Sequence, residues 1–104
     1  MFDLITATFD GITLGEKPNV VVFYTSYCLF CKEFSEIFEN TRNSQFLFSK
    51  ADITDDDSPL WSKYNIKVVP TVIAFKGTKE IGRLDGILGV GLNSKDFRAF
   101  LKSI

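Results

Sequence analysis

The sequence predicts an α/β fold, a central mixed β-sheet flanked by helices on both faces. Three observations carry this. Val20-Val21-Val22-Phe23-Tyr24 is an unbroken run of apolar and aromatic β-formers. A strand with one solvated face alternates apolar and polar residues, so a run without alternation marks a strand covered on both faces. Helical and strand periodicities then alternate along the chain in the order β-α-β-α-β-α-β-β-α, which implies helices layered on a sheet. Finally, only Lys76-Gly77-Thr78-Lys79 separates the last two strands. That is too short for a crossover, so they pair antiparallel and the sheet is mixed.

Taken in order, Phe2 to Ile5 is a short strand, and Thr8 to Leu14 a weak helical pattern that stops at Gly15. Pro18 precedes the strand at Val20 to Tyr24. From Cys28 the period changes: Cys31, Phe34, Ile37 and Phe38 share one face, opposite Lys32, Glu33, Glu36 and Glu39. This is an amphipathic helix ending near Asn40 to Asn43. Phe46 to Ile53 reads as a strand. Asp55-Asp56-Asp57-Ser58-Pro59 supplies a cap and a first-turn proline for a short helix through Trp61 to Tyr64. The aspartate run lacks metal-loop spacing and reads as a cap and a solvated turn. Val68 to Phe75 is a strand entered through Pro70, and Glu80 to Leu84 is its hairpin partner. After a glycine-rich stretch (Gly86, Gly89, Gly91), Asn93 or Ser94 caps a final helix carrying Phe97, Phe100, Leu101 and Ile104.

Composition bounds the function. A length of 104 residues fits one domain, residues 1–104. With 45% hydrophobic and 24% charged residues the chain is globular, and eleven phenylalanines imply an aromatic-rich core. A net charge of −1 with interspersed signs offers no basic stripe for nucleic acid. No apolar run approaches a membrane span. Met1-Phe2-Asp3-Leu4-Ile5 has an acid and no basic n-region, so no signal peptide is expected. Two cysteines in such a chain fit a reducing compartment, the cytoplasm, where CxxC is more often catalytic or metal-binding than structural. Histidine is absent, which removes the commonest general base and the commonest zinc ligand.

Both cysteines lie in Cys28-Leu29-Phe30-Cys31, directly after the apolar strand. A strand feeding a turn that opens a helix presents Cys28 at the helix N-terminus, where backbone N–H groups and the helix dipole favour a thiolate. A thiolate attacks disulfides, and a second thiol one helical turn along can attack the resulting mixed disulfide. With no third cysteine, the pair is a dithiol/disulfide couple, half of a shared metal site, or two inert core thiols.

The order of elements, CxxC after the first long buried strand, and Val69-Pro70-Thr71 some forty residues later together resemble the thioredoxin family. The resemblance runs over essentially the whole chain. Val20 to Lys32 stands where the family carries a strand ending in an aromatic residue, the redox pair and then lysine. Tyr64 to Thr71 resembles the stretch bearing its cis-proline, Phe75-Lys76-Gly77 its hairpin, and Gly86 a glycine that lines its substrate groove. Lys50 matches a lysine near its active site once one residue is inserted. The resemblance implies the thioredoxin fold and a protein-disulfide oxidoreductase acting in electron transport and cell redox homeostasis. In it Cys28 is the nucleophile and Cys31 the resolving thiol. Tyr27, Val69, Pro70, Thr71 and Gly86 line the substrate site, and the cis-proline leaves backbone groups of Val69 and Thr71 free to pair with an extended substrate segment. It further implies a monomer with no metal and no cofactor beyond the two thiols. Its partners are disulfide-containing proteins and an external reductant, either a thioredoxin-reductase-like flavoenzyme or glutathione.

The chain departs from the family at four places. Val22 stands where thioredoxins bury an aspartate six residues before the first redox cysteine, Leu29-Phe30 replaces Gly-Pro, and Tyr27 replaces tryptophan. Some five extra residues lie between Gly86 and the final helix. Tyr27 and Phe30 flank the cysteines as an apolar docking surface. Two other readings stay open: a homodimer whose four thiolates hold zinc or an iron–sulfur cluster, and an interaction domain with vestigial cysteines.

Overall fold

The structure, a computed structural model, describes residues 17–77 and 79–104. The strand expected at Phe2 to Ile5 and the helix expected at Thr8 to Leu14 lie outside the described residues. Within them the order is β1 (Asn19–Tyr24), α1 (Leu29–Asn40), β2 (Leu47–Asp52), α2 (Leu60–Lys63), β3 (Thr71–Lys76), β4 (Lys79–Asp85) and α3 (Ser94–Ser103). The four strands form one sheet in the order β2-β1-β3-β4. β2 runs parallel to β1 through the α1 crossover, while β3 is antiparallel to both β1 and β4. The sheet is therefore mixed, as the short last turn requires.

β1 sits between two partners and its residues Asn19 to Phe23 are all buried. Its alternation still matters, because it divides the core between two faces. Val20 and Val22 pack with Phe34 and Phe38 of α1 and with Phe97, Phe100 and Leu101 of α3. Val21 and Phe23 pack with Ile53, Ile66, Ile73 and Phe75, covered by Leu60, Trp61 and Tyr64. Phenylalanines dominate the first face: Phe34 meets Phe97 edge-on at 5.1 Å, and Phe38 meets Phe48 edge-on at 5.6 Å. On the second face Tyr64 stands edge-on to Phe75 at 5.2 Å.

Three expected boundaries move. The apolar run at Val68 predicts a strand through Pro70, but β3 begins at Thr71. Pro70 has no N–H for a ladder, pairing of β3 with β1 stops at Phe23↔Thr71, and Thr71 Oγ1 donates to Val68 O at 2.7 Å, folding the chain back. The short helix begins at Leu60 rather than at Pro59, which is its N-cap residue, and Tyr64 caps its end. The next residue, Asn65, takes a left-handed φ of 53°, a conformation asparagine tolerates at helix ends. The hairpin is longer than expected: β4 spans Lys79–Asp85, with a register shift at Ala74/Phe75.

These details anchor the segment before β3. Arg83 of β4 donates to Tyr64 O at 2.9 Å and, from the same guanidinium, to Asp85 Oδ1 at 2.8 Å. The final helix carries the expected cap, with Asn93 Oδ1 accepting from Asp96 N at 2.8 Å.

Candidate active site

β1 ends at Tyr24, and four residues later the chain enters α1 with Cys28 as the N-cap residue, at φ −92° and ψ 117°. Its Sγ accepts from Cys31 N at 3.1 Å. Cysteine is not a usual cap residue, but the geometry is that of a cap: a side-chain acceptor satisfies an N–H that the first turn leaves free. The same sulfur lies 3.7 Å from the Val69 carbonyl oxygen, within reach of a thiol donor. Both cysteines are free thiols, Cys28 half-buried and Cys31 buried.

Burial separates the two chemically. Cys31 lies on the inward face of α1 with Phe34 and Phe38. Desolvation is the largest cause that pushes its thiol up to about 12, the adjacent Cys28 adds to this, and a hydrogen bond from the Thr25 backbone opposes it. Cys31 is thus held as a protonated thiol behind the accessible Cys28.

The residues across from the pair come from the segment before β3. The Val69–Pro70 peptide bond is cis, as the family resemblance implies. Val69 is half-buried with its carbonyl toward Cys28, whereas Pro70 is buried. Thr71 is fully buried between Phe23 and Asp85, so it offers no open edge; its hydroxyl positions Val68 instead. Gly86 is buried directly behind Pro70. Tyr27 is 68% exposed and stands beside Cys28. The structure therefore brings Tyr27, Cys28 and Val69 to one surface, with Pro70, Thr71 and Gly86 as its support.

Sequence reasoning missed two features. A cavity of about 230 Å³ touches Cys31 and is lined by Val22, Thr25, Lys32, Ser35 and Lys50, among others. The Thr25 hydroxyl, buried at its wall, has no hydrogen-bond partner among the described residues. Lys50 Nζ is held at this cavity by Ser35 Oγ at 2.8 Å and by an ion pair with Glu39. Glu39 in turn accepts from Ser35 Oγ at 2.9 Å. Val22 and Lys50 are register partners on β1 and β2, so the position where the family buries an acid faces a cation here. The second feature is the hydrogen-bonded turn from Ile87 to Gly91 into which the expected glycine-rich stretch closes.

Among the described residues, no cluster of three or more His, Cys, Asp or Glu side chains is arranged to hold a metal ion.

Comparison with known proteins agrees with this geometry. The family model described as Thioredoxin matches residues 1–102. Thioredoxin-1 of Caenorhabditis elegans is 32% identical over 82 residues, covering 77% of this chain and 70% of that protein. The mitochondrial thioredoxin of Bos taurus is 30% identical over 99 residues; the match covers 91% of this chain but 56% of that longer protein. The solved thioredoxin of Malassezia sympodialis superposes with a TM-score of 0.71 at 25% identity, over 88% of this chain and 78% of that one. With its mixed sheet, its CxxC pair at a strand–helix junction and a family match over nearly its whole length, the chain belongs to the thioredoxin family.

Proposed function

We propose that this chain reduces protein disulfides through the Cys28–Cys31 dithiol. Family membership makes it a thiol–disulfide oxidoreductase; the division of roles between the two sulfurs is our reading. The observation that carries it is the contrast in placement: Cys28 Sγ is accessible at the N-cap of α1 and accepts an N–H, while Cys31 is buried one turn inside.

In the cycle, Cys28 attacks one sulfur of the substrate disulfide as a thiolate. A Cys28–substrate bond forms, the substrate S–S bond breaks, and its second sulfur leaves and takes up a proton. Cys31 then loses its proton and attacks Cys28 Sγ. The Cys28–Cys31 disulfide forms, and the remaining substrate sulfur leaves as a thiol. Two electrons and two protons have passed from the dithiol to the substrate. An extended substrate segment lies against Val69, whose carbonyl accepts a β-type hydrogen bond from it. No cofactor beyond the thiols enters the cycle. A thioredoxin-reductase-like flavoenzyme or glutathione then restores the dithiol, in a reducing compartment such as the cytoplasm.

Insulin reduction and substrate trapping test this. Cys28→Ser abolishes reduction, and Cys31→Ser accumulates a mixed disulfide with the substrate. Trapping by Cys28→Ser and not by Cys31→Ser would reverse the roles.

A further inference from the structure

The described residues expose six large apolar side chains: Tyr27, Leu29, Ile81, Ile87, Leu88 and Val90. Five of the six gather in two short segments. Tyr27 and Leu29 flank Cys28, and Ile87, Leu88 and Val90 belong to the turn after Gly86. Scattered apolar residues on a surface need no explanation, but a concentration of this kind marks a contact surface.

The turn is fixed to the site at both of its feet. At its entry, Gly86 packs against the Pro70 carbonyl so closely that a Cβ would lie 2.3 Å from the oxygen. At its exit, a Cβ on Gly91 would lie 2.9 Å from Phe30 Cβ, between the two cysteines in sequence. The turn therefore spans from the Pro70 side of the site to the CxxC side. Val90 N and Gly91 N both donate to Ile87 O at 2.8 Å, and Ile87 N donates to Gly91 O at 3.1 Å. Gly89 and Gly91 take φ values of +80° and +87°, which side chains resist. The backbone is thus closed on itself, and Leu88 is held out at its tip, 85% exposed.

Charge fixes the chemistry of the occupant. The three segments that frame Cys28 (Ser26-Tyr27-Cys28-Leu29-Phe30, Val68-Val69-Pro70-Thr71 and Gly86-Ile87-Leu88-Gly89-Val90-Gly91) contain no ionisable group besides the Cys28 thiol and the Tyr27 phenol; exposed Lys67 and Asp85 adjoin the second and third at their outer ends. Charged groups flanking a disulfide would lose part of their hydration against these segments and find no partner charge within them. One flanked by large apolar side chains would bury them on the turn.

We infer that the Ile87–Gly91 turn is a specificity element that selects polypeptide disulfides flanked by large apolar residues over those flanked by charged ones. This rests on the dithiol-exchange reading above and deepens it: the substrate segment that pairs with Val69 places its apolar flank on Leu88 and Val90.

The test uses two synthetic peptides with one disulfide each, identical but for the residues flanking their cysteines, leucine in one and glutamate in the other. The second-order rate of oxidation of the reduced protein by each peptide is read by acid quench and mass spectrometry. The expected result is a preference of about tenfold or more for the leucine peptide. Leu88→Ser with Val90→Thr narrows that preference at least severalfold by slowing the leucine peptide. Ile81→Ser, on β4, leaves the preference intact. Equal rates for the two peptides, or an unchanged preference in the double variant, overturn the inference while leaving dithiol exchange standing. Reaction with neither peptide overturns both.

Discussion

Gly86 stands against the carbonyl of Pro70, with no room between them: a Cβ at residue 86 would lie 2.3 Å from the Pro70 oxygen. The contact is backbone on backbone, so no flexible side chain can yield. It sets the depth at which the Val69–Pro70 segment sits below Cys28. Gly86→Ala therefore pushes this segment, and the Val69 carbonyl with it, away from β4. We expect a loss of about 1–3 kcal/mol, the usual cost of overpacking a close contact. Urea unfolding checks this as a lower midpoint at unchanged slope. Reduction of a peptide disulfide slows as well, because Val69 O no longer lies 3.7 Å from Cys28 Sγ. Wild-type stability and rate in the alanine variant would mean that the contact does not hold the segment in place.

Burial of Cys31 makes a pH prediction. Its thiol, ordinarily at 9.0, is pushed up to about 12 in the folded protein, chiefly by desolvation. A group whose pKa is raised on folding lends stability that is complete below the unfolded pKa and is lost as pH rises toward the folded one. In that window the unfolded chain has lost the proton and the folded chain keeps it, so stability falls by up to about 1.4 kcal/mol per pH unit from this group. Reduced wild type should thus lose stability between about pH 9 and 12 more steeply than Cys31→Ala, measured by urea unfolding at each pH. Parallel curves for the two proteins would show that Cys31 titrates normally. At pH 8 the same burial leads us to expect that iodoacetamide adds one group to the native reduced protein, at Cys28.

Much of this arrangement was legible because it rests on local patterning. The unalternating run at Val20 to Tyr24 signals burial on both faces, and the Cys31, Phe34, Phe38 spacing signals the inward stripe of α1. Patterning also places Cys28 where a strand gives way to a helix. It misreads Val68 to Pro70 as strand, because hydrophobicity does not report whether a neighbouring strand exists to pair with, and β1 runs out at Phe23. Thr71, which the family resemblance places at the substrate site, lies between two paired strands and is buried. The link from Lys50 on β2 to Ser35 and Glu39 on α1 crosses from sheet to helix, and only the tertiary fold reveals it. The turn from Ile87 to Gly91 had a signal, three glycines interleaved with apolar residues, but its two anchoring contacts are long-range in sequence.

The Lys50–Glu39 pair yields a modest prediction. The hydrogen bond from Lys50 is the largest cause that holds the Glu39 carboxyl below its ordinary value of 4.5, with Ser35 adding to it. A depressed folded pKa lends stability above the unfolded value that is lost as pH falls through the folded one. Glu39→Gln should therefore be less stable than wild type at pH 7, and the gap should close below about pH 4.5. Because the Glu39 side chain is 42% exposed, solvent screening limits the gap to less than about 1 kcal/mol. Thermal unfolding of both proteins at pH 7 and pH 3 measures it, and a gap that persists at pH 3 would assign the effect to packing rather than charge.

The last prediction concerns Val22, which lines the same cavity as Cys31 and Lys50 and is 3% exposed. For resolution, Cys31 must give up its proton, and its burial, the largest cause that raises its thiol, opposes this. The cavity-lining side chains include no carboxylate or imidazole to take that proton, and hydroxyls such as those of Thr25 and Ser35 are poor bases. A carboxylate at residue 22 would supply a base beside the cavity, opposite Lys50 across the β1–β2 pair. Val22→Asp should therefore cost stability, by a few kcal/mol at most, since the acid can stay protonated in the fold. It should also speed release of substrate from the mixed disulfide near neutral pH. Stopped-flow measurement of the released substrate thiol, in wild type and Val22→Asp from pH 6 to 9, separates the two effects. A rate gain that grows as the carboxylate ionises marks general-base assistance. Equal rates across that range would mean that proton loss from Cys31 does not limit the step, and that attack on Cys28 Sγ or departure of the substrate thiol does.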